Sequence, residues 1–112
     1  MSAGAPQLGK LFDLLLSRGA SDLHLSAGYP PMLRVRGELE PALERTLDAA
    51  TIASITAELL TPEQRAHFAT HHDLDFAYAH GEAARFRANY FRKTTGVGAV
   101  FRTIPTDRKS VV

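Results

Sequence analysis

Cysteine is absent from the 112 residues, so neither a disulfide nor a thiolate metal site can contribute to folding or chemistry. No apolar run approaches the roughly 18 uninterrupted residues of a membrane-crossing helix, and Met1-Ser2-Ala3-Gly4 does not open a charged-then-apolar signal peptide. The expected home is therefore cytoplasmic, without direct membrane insertion. An excess of charge of one sign is also missing. With 13 Lys and Arg against 12 Asp and Glu the formal net charge is +1, which by itself gives no electrostatic case for a polyanion partner. Internal repeats are lacking, and compositional bias is confined to residues 1–6, which are expected to be disordered.

What remains is an ordinary mixture, 45% hydrophobic and 22% charged, in a chain long enough to bury one core. Leu8, Leu11, Phe12, Leu15 and Leu16 recur at helical spacing, predicting a helix from about Gln7 to Arg18 that Gly19 stops. From Asp22 the period becomes two: Leu23 and Leu25 point one way, Asp22, His24 and Ser26 the other. Ala27 to Pro31 makes a turn. In the next strand Leu33 and Val35 face inward with Arg34 and Arg36 towards solvent, and Gly37-Glu38 turns into a short strand near Leu39. Helical spacing returns at Ile52, Ile55, Leu59 and Leu60 after an Asp48 or Thr51 cap, and Thr61-Pro62-Glu63-Gln64 reads as a capping box opening a further helix. Leu74, Phe76 and Tyr78 alternate as a strand. Gly81-Glu82 turns, Ala83 to Lys93 forms another strand, Gly96-Val97-Gly98 reads as a turn, and a last strand over Val97 to Ile104 is stopped by Pro105. Helices clustered between runs of strands predict an α+β fold, a mostly antiparallel sheet with helices packed on one face.

Three groups of residues invite a chemical reading. Arg85 and Arg87 share one strand face, Arg92 lies near the end of that strand, and Arg102 sits on the neighbouring one. Converging guanidiniums offer rigid forks of donors suited to phosphate oxygens; a solvated face, with the arginines paired to Glu38 or Glu82, accounts for the same pattern. Asp22 and His24 share a strand face without a third partner at fixed spacing, and read as a polar sheet edge or subunit interface. His67 and His71 lie one helical turn apart, followed by His72, Asp73 and Asp75. No His-Glu-x-x-His pattern is present, and the histidines suit the negative end of a helix dipole, so no metal site is expected. A nucleic-acid face built on Arg34, Arg36, Arg85 and Arg87 is disfavoured by the balanced charge and by aromatics on the opposite strand face.

The run Gly19 to Gly37, with its Ala20-Ser21-Asp22-Leu23-His24-Leu25-Ser26-Ala27-Gly28 core, resembles the opening signature of the type IV pilus retraction ATPases, the PilT-like branch of the secretion ATPase superfamily. Arg85-Phe86-Arg87-Ala88-Asn89-Tyr90-Phe91 and Gly96 to Pro105 resemble the same family further along. The resemblance implies a PAS-like N-terminal domain over residues 7–105. Residues 106–112 would be a tail or the start of a linker to an absent RecA-like core. It also implies a homohexamer at the inner-membrane base of a pilus machine, with that core and an inner-membrane platform protein as partners and no nucleic acid. ATP and Mg²⁺ would belong to the full-length parent. By the same resemblance Arg87 and Arg102 approach the terminal phosphates, with Arg92 carried over from a stretch, Phe91 to Thr95, that departs from the family pattern. Asp22, His24, Arg34 and Arg36 are then expected at an interface. Lys109-Ser110 has the ending of a phosphate-binding loop, but no glycine stands between Thr103 and Arg108. Without such a loop no backbone amides cradle a phosphate, so this chain is expected to hold no catalytic residue of its own and to bind no nucleotide alone. Two other readings stand beside this one: a sensory PAS-like domain with a small ligand in its core, and a domain of a related pilus-assembly or type II secretion ATPase.

Overall fold

The computed structural model describes residues 7–81 and 84–104; the expectations for residues 1–6, Glu82, Ala83, Pro105 and the tail lie outside them. Nine elements follow in order: α1 (Gln7–Ser17), β1 (Asp22–Leu25), β2 (Met32–Val35), β3 (Glu38–Pro41), α2 (Ala49–Ala57), α3 (Pro62–His71), β4 (Asp73–His80), β5 (Ala84–Lys93) and β6 (Gly96–Ile104). The strands form one antiparallel sheet of order β3-β2-β1-β6-β5-β4. The fold is α+β, as the pattern of periods predicts.

Local chemistry explains the helix limits. α1 ends because Gly19 adopts φ 67°, which lets the Gly19 amide reach the Leu16 carbonyl at 3.2 Å and the Ala20 amide reach that of Leu15 at 2.9 Å. This is the double closure that satisfies the last carbonyls of a helix. Asp48, rather than Thr51, caps α2: its carboxylate accepts the Thr51 amide at 2.8 Å, and hydrogen bonding from Thr51, its side chain foremost and its amide next, holds it below the usual carboxylate range. The capping box of α3 is complete, with the Thr61 hydroxyl accepting the Gln64 amide at 3.1 Å and the Gln64 side chain accepting the Thr61 amide at 3.0 Å.

The helices cover one sheet face. Leu8, Leu11, Phe12 and Leu15 of α1 bury against Leu23, Leu25, Phe86 and Phe101, while α2 lays Ile52 and Ile55 beneath the same face. Tyr90, fully buried, donates its hydroxyl to the Thr56 carbonyl at 2.9 Å, and burial pushes its phenol far above the ordinary tyrosine range. His80 meets Asp13 of α1 at 2.9 Å, a tie between residues 67 apart that no local pattern announces.

Three expectations need correction. Arg36 is not a strand residue: it has φ 55° and Gly37 φ 84°, so the two form the tight turn between β2 and β3. Positive φ at both central residues is what a hairpin turn twisted like its strands demands. Gly96-Val97-Gly98 is not a turn but the start of β6, in register with Lys93, Arg92 and Phe91, and Thr94-Thr95 make the reversal. Finally, β1 is no sheet edge, since β2 and β6 flank it; the edges are β3 and β4.

Candidate functional site

The face opposite the helices carries the charge. Because side chains alternate along a strand, the registers align a row across six strands: Leu39, Arg34, Asp22, Arg102, Arg87 and Ala77. Arg87 and Arg102 are direct cross-strand partners, and their side chains are 69% and 67% exposed. Like charges placed directly opposite each other are destabilising, so the juxtaposition in itself does nothing for the sheet. Each arginine has one carboxylate beside it. Asp75 Oδ2 lies 3.5 Å from Arg87 Nη2, and Asp22 Oδ2 lies 3.5 Å from both Nε and Nη2 of Arg102. Asp75 and Asp22 are thus the partners, in place of the Glu38 and Glu82 of the solvated-face reading; Glu82 falls outside the described residues, and Glu38 forms no ion pair among them.

Arg92 stands apart from that pair. It shares the parity of Phe86, Ala88 and Tyr90, lies 5.9 Å above the Phe68 ring, and lines a recess with Leu60, Arg65 and Val97 on the helix side. The fold thus joins Arg87 to Arg102 and places Arg92 on the other face. Arg85 lies on the open face one row further along, opposite Ile104. Arg34 turns its guanidinium to the Gly37 carbonyl at 3.1 Å, and Arg36 sits exposed at the adjacent turn.

Asp22 and His24 are on the same face but not at its rim. Asp22 is only 6% exposed, which strand alternation alone did not indicate. His24 Nε2 is buried without a hydrogen-bond partner and lies 3.7 Å from Asp22 Oδ2, too long for a hydrogen bond. Desolvation lowers the His24 pKa below 6.5; the Asp22 carboxylate opposes this, while Arg34 and Arg102 reinforce it. A histidine kept neutral in the fold but free to protonate when unfolded destabilises the native state in acid. The loss begins as pH falls through 6.5 and levels off once pH passes the lowered folded value. His24→Asn is accordingly expected to narrow the gap between Tm at pH 7 and at pH 5, measured against wild type by thermal melts. An unchanged gap would show that His24 carries no such linkage.

Among the described residues no three His, Asp or Glu side chains converge as a metal site. His67 and His71 stack at 4.2 Å, and His71 Nδ1 lies 3.1 Å from the His67 carbonyl. No described helix is long and apolar enough to cross a membrane.

Comparison with known proteins places this geometry in a family. No family model matches the chain. It is 42% identical over 89 residues to the type IV pilus retraction ATPase PilT of Pseudomonas aeruginosa, a match over 80% of this chain and 26% of the relative. It is 33% identical over 98 residues to the type IV pilus ATPase PilU of the same organism, over 88% of this chain and 26% of that one. A crystal structure of the pilus retraction motor PilT with bound ADP superposes with a TM-score of 0.82 at 26% identity, over 89% of this chain and 29% of that one. The chain is an N-terminal domain of the PilT-like pilus ATPase family. It spans about a quarter of the length of the two relatives. In this PilT-like domain the paired arginines, Asp22 and His24 all lie on the sheet face that its own helices leave open.

Proposed function

We propose that this domain serves as the N-terminal regulatory and assembly domain of a hexameric ATPase that powers type IV pilus retraction, and that Arg87 and Arg102 reach the terminal phosphates of a nucleotide held by a RecA-like core of its own or a neighbouring subunit. ATP and Mg²⁺ belong to that core. The PAS-like domain supplies positive charge in trans and moves with the nucleotide state. Asp22, His24 and Arg34 then lie within the interface, with Arg36 at its margin. Such a motor works at the cytoplasmic side of the inner membrane against a platform protein, without nucleic acid and without inserting into the bilayer.

The observation that carries this reading is the like-charged pair. Two exposed guanidiniums stand directly opposite each other on an open sheet face, at a cost to the sheet, in reach of an anion presented from outside. Identity to PilT favours the retraction branch over the pilus-assembly or secretion ATPases. A sensory domain would need an enclosed cavity of small-molecule size: the apolar groove between α1 and α2 holds about 210 Å³, below the roughly 300 Å³ at which small-molecule pockets begin, while the wider recesses, about 630 Å³ beside Gly28, Asp48 and Thr95 and about 330 Å³ beside Asp75 and Arg87, lie open to solvent.

The test is turnover of the longer protein carrying Arg87→Ala or Arg102→Ala, with the melting temperature of each variant measured alongside. Arginines supplied in trans to phosphoryl transfer are worth about 10³ to 10⁵ in rate, so even a partial role predicts a loss of about tenfold or more with the fold intact. An exposed structural ion pair would instead shift stability by about 0–1 kcal/mol and leave turnover alone. Wild-type turnover in both variants would refute the reading.

A further inference from the structure

We infer that Asp22 is a positioning residue that holds the Arg102 guanidinium in one place on the open sheet face, while Arg87 beside it is left free to move. Its consequence for phosphate binding rests on the nucleotide-site reading; the anchoring itself does not.

The two arginines look equivalent in sequence and in exposure, but their carboxylates are not. Asp75, the neighbour of Arg87, belongs to the edge strand β4, and its side chain is 52% exposed. Water satisfies that carboxylate whether or not Arg87 stays, so the pair restrains little. Asp22 lies in the interior strand β1, with β2 on one side and β6 on the other, and its side chain is only 9% exposed. A buried carboxylate without a compensating charge is costly, and that cost falls on every rotamer of Arg102 that leaves it.

Among the described residues no other cation takes this role. Arg34, across from Asp22 on β2, donates Nη1 to the Gly37 carbonyl at 3.1 Å. His24 Nε2 is 3.7 Å away, and burial favours its neutral form. Arg102 alone lies with two nitrogens, Nε and Nη2, at 3.5 Å from Asp22 Oδ2. Two guanidinium nitrogens thus face one buried carboxylate oxygen, Nη2 as a hydrogen-bond donor and Nε as a charge contact, where Arg87 offers a single terminal nitrogen to an exposed carboxylate. The backbone beneath is fixed too: Asp22 and Arg102 are register partners, and the Thr103 amide donates to the Ser21 carbonyl at 3.1 Å. One guanidinium of the pair is therefore preset and the other adapts.

NMR relaxation of the arginine Nε–Hε groups tests this on the 112-residue chain itself. In wild type the Arg102 order parameter is expected near the roughly 0.85 of rigid backbone, and that of Arg87 below about 0.6. Asp22→Asn should bring Arg102 down to the level of Arg87, whereas Asp75→Asn should leave Arg102 unchanged. Equal order for the two arginines in wild type would overturn the proposal, as would an Arg102 still rigid in a folded Asp22→Asn variant. If that variant does not fold, the wild-type comparison decides alone. The two readings fail separately: turnover of the longer protein indifferent to Arg102→Ala removes the nucleotide role and leaves the anchor, while a mobile Arg102 in wild type removes the anchor and leaves the nucleotide role.

Discussion

Phe12→Ala is expected to destabilise the domain by about 3–5 kcal/mol, the range for emptying a buried aromatic site. Phe12 is fully buried and is the one α1 residue whose ring meets aromatic rings from three strands. It stacks on Phe86 of β5 at 4.4 Å, meets Phe101 of β6 edge-on at 5.0 Å and lies 5.7 Å from Tyr78 of β4. Aromatic pairs add about 0.5–1.5 kcal/mol beyond the area they bury, so the loss exceeds that of an aliphatic neighbour such as Leu8. The cavity has little means of collapse, because the strands that line it are held in register and α1 is tied to β4 by His80 and Asp13. Urea denaturation of wild type and variant measures the difference, and the melting temperature should fall by roughly 10 °C or more. A loss below about 1 kcal/mol would mean that α1 does not dock on the sheet as described.

The same cluster shows what could be read from sequence and what could not. The stripe of Leu8, Leu11, Phe12 and Leu15 and the Gly19 stop lie within twelve consecutive residues, and both parts of the Thr61–Gln64 capping box lie closer still; local patterns of this kind are visible in a single chain. The parity that sends Arg92 to the helix side was equally visible, since Arg87 and Arg92 are five residues apart in one strand and so face opposite ways. The burial of Asp22 was not. Alternation assigned it to the polar face correctly, but no helix covers that face; what encloses the carboxylate is the packing of β2 and β6 around an interior strand. That pairing joins residues 80 apart, Asp22 and Arg102, and strand order of this range leaves no local trace. The difference between an anchored and a free arginine follows from the same unseen order, because it depends only on whether the neighbouring carboxylate lies in an interior strand or at the edge.

Gly96→Ala is expected to cost about 2–4 kcal/mol, from two sources that can be separated. Gly96 has φ 130°, a conformation open essentially to glycine alone and worth about 1–3 kcal/mol of strain for any other residue. A Cβ at that position would also stand 2.9 Å from the Cβ of Ala49, the first residue of α2. Ala49 cannot yield cheaply, since Asp48 fixes the start of the helix through the Thr51 amide and Ile52 and Ile55 seat its body in the core. Gly28 supplies the comparison: it too has a positive φ, 87°, but a Cβ there meets nothing within 4 Å. Gly28→Ala should therefore show strain without the collision and cost less than Gly96→Ala. Pairing Gly96→Ala with Ala49→Gly removes the colliding methyl, and the double variant should recover about 0.5–3 kcal/mol beyond the sum of the single effects. Additive effects in that cycle, with Gly96→Ala no worse than Gly28→Ala, would show that the hairpin between β5 and β6 does not touch α2, and that the open-face arginines are carried by a sheet less firmly backed at that end than the fold implies.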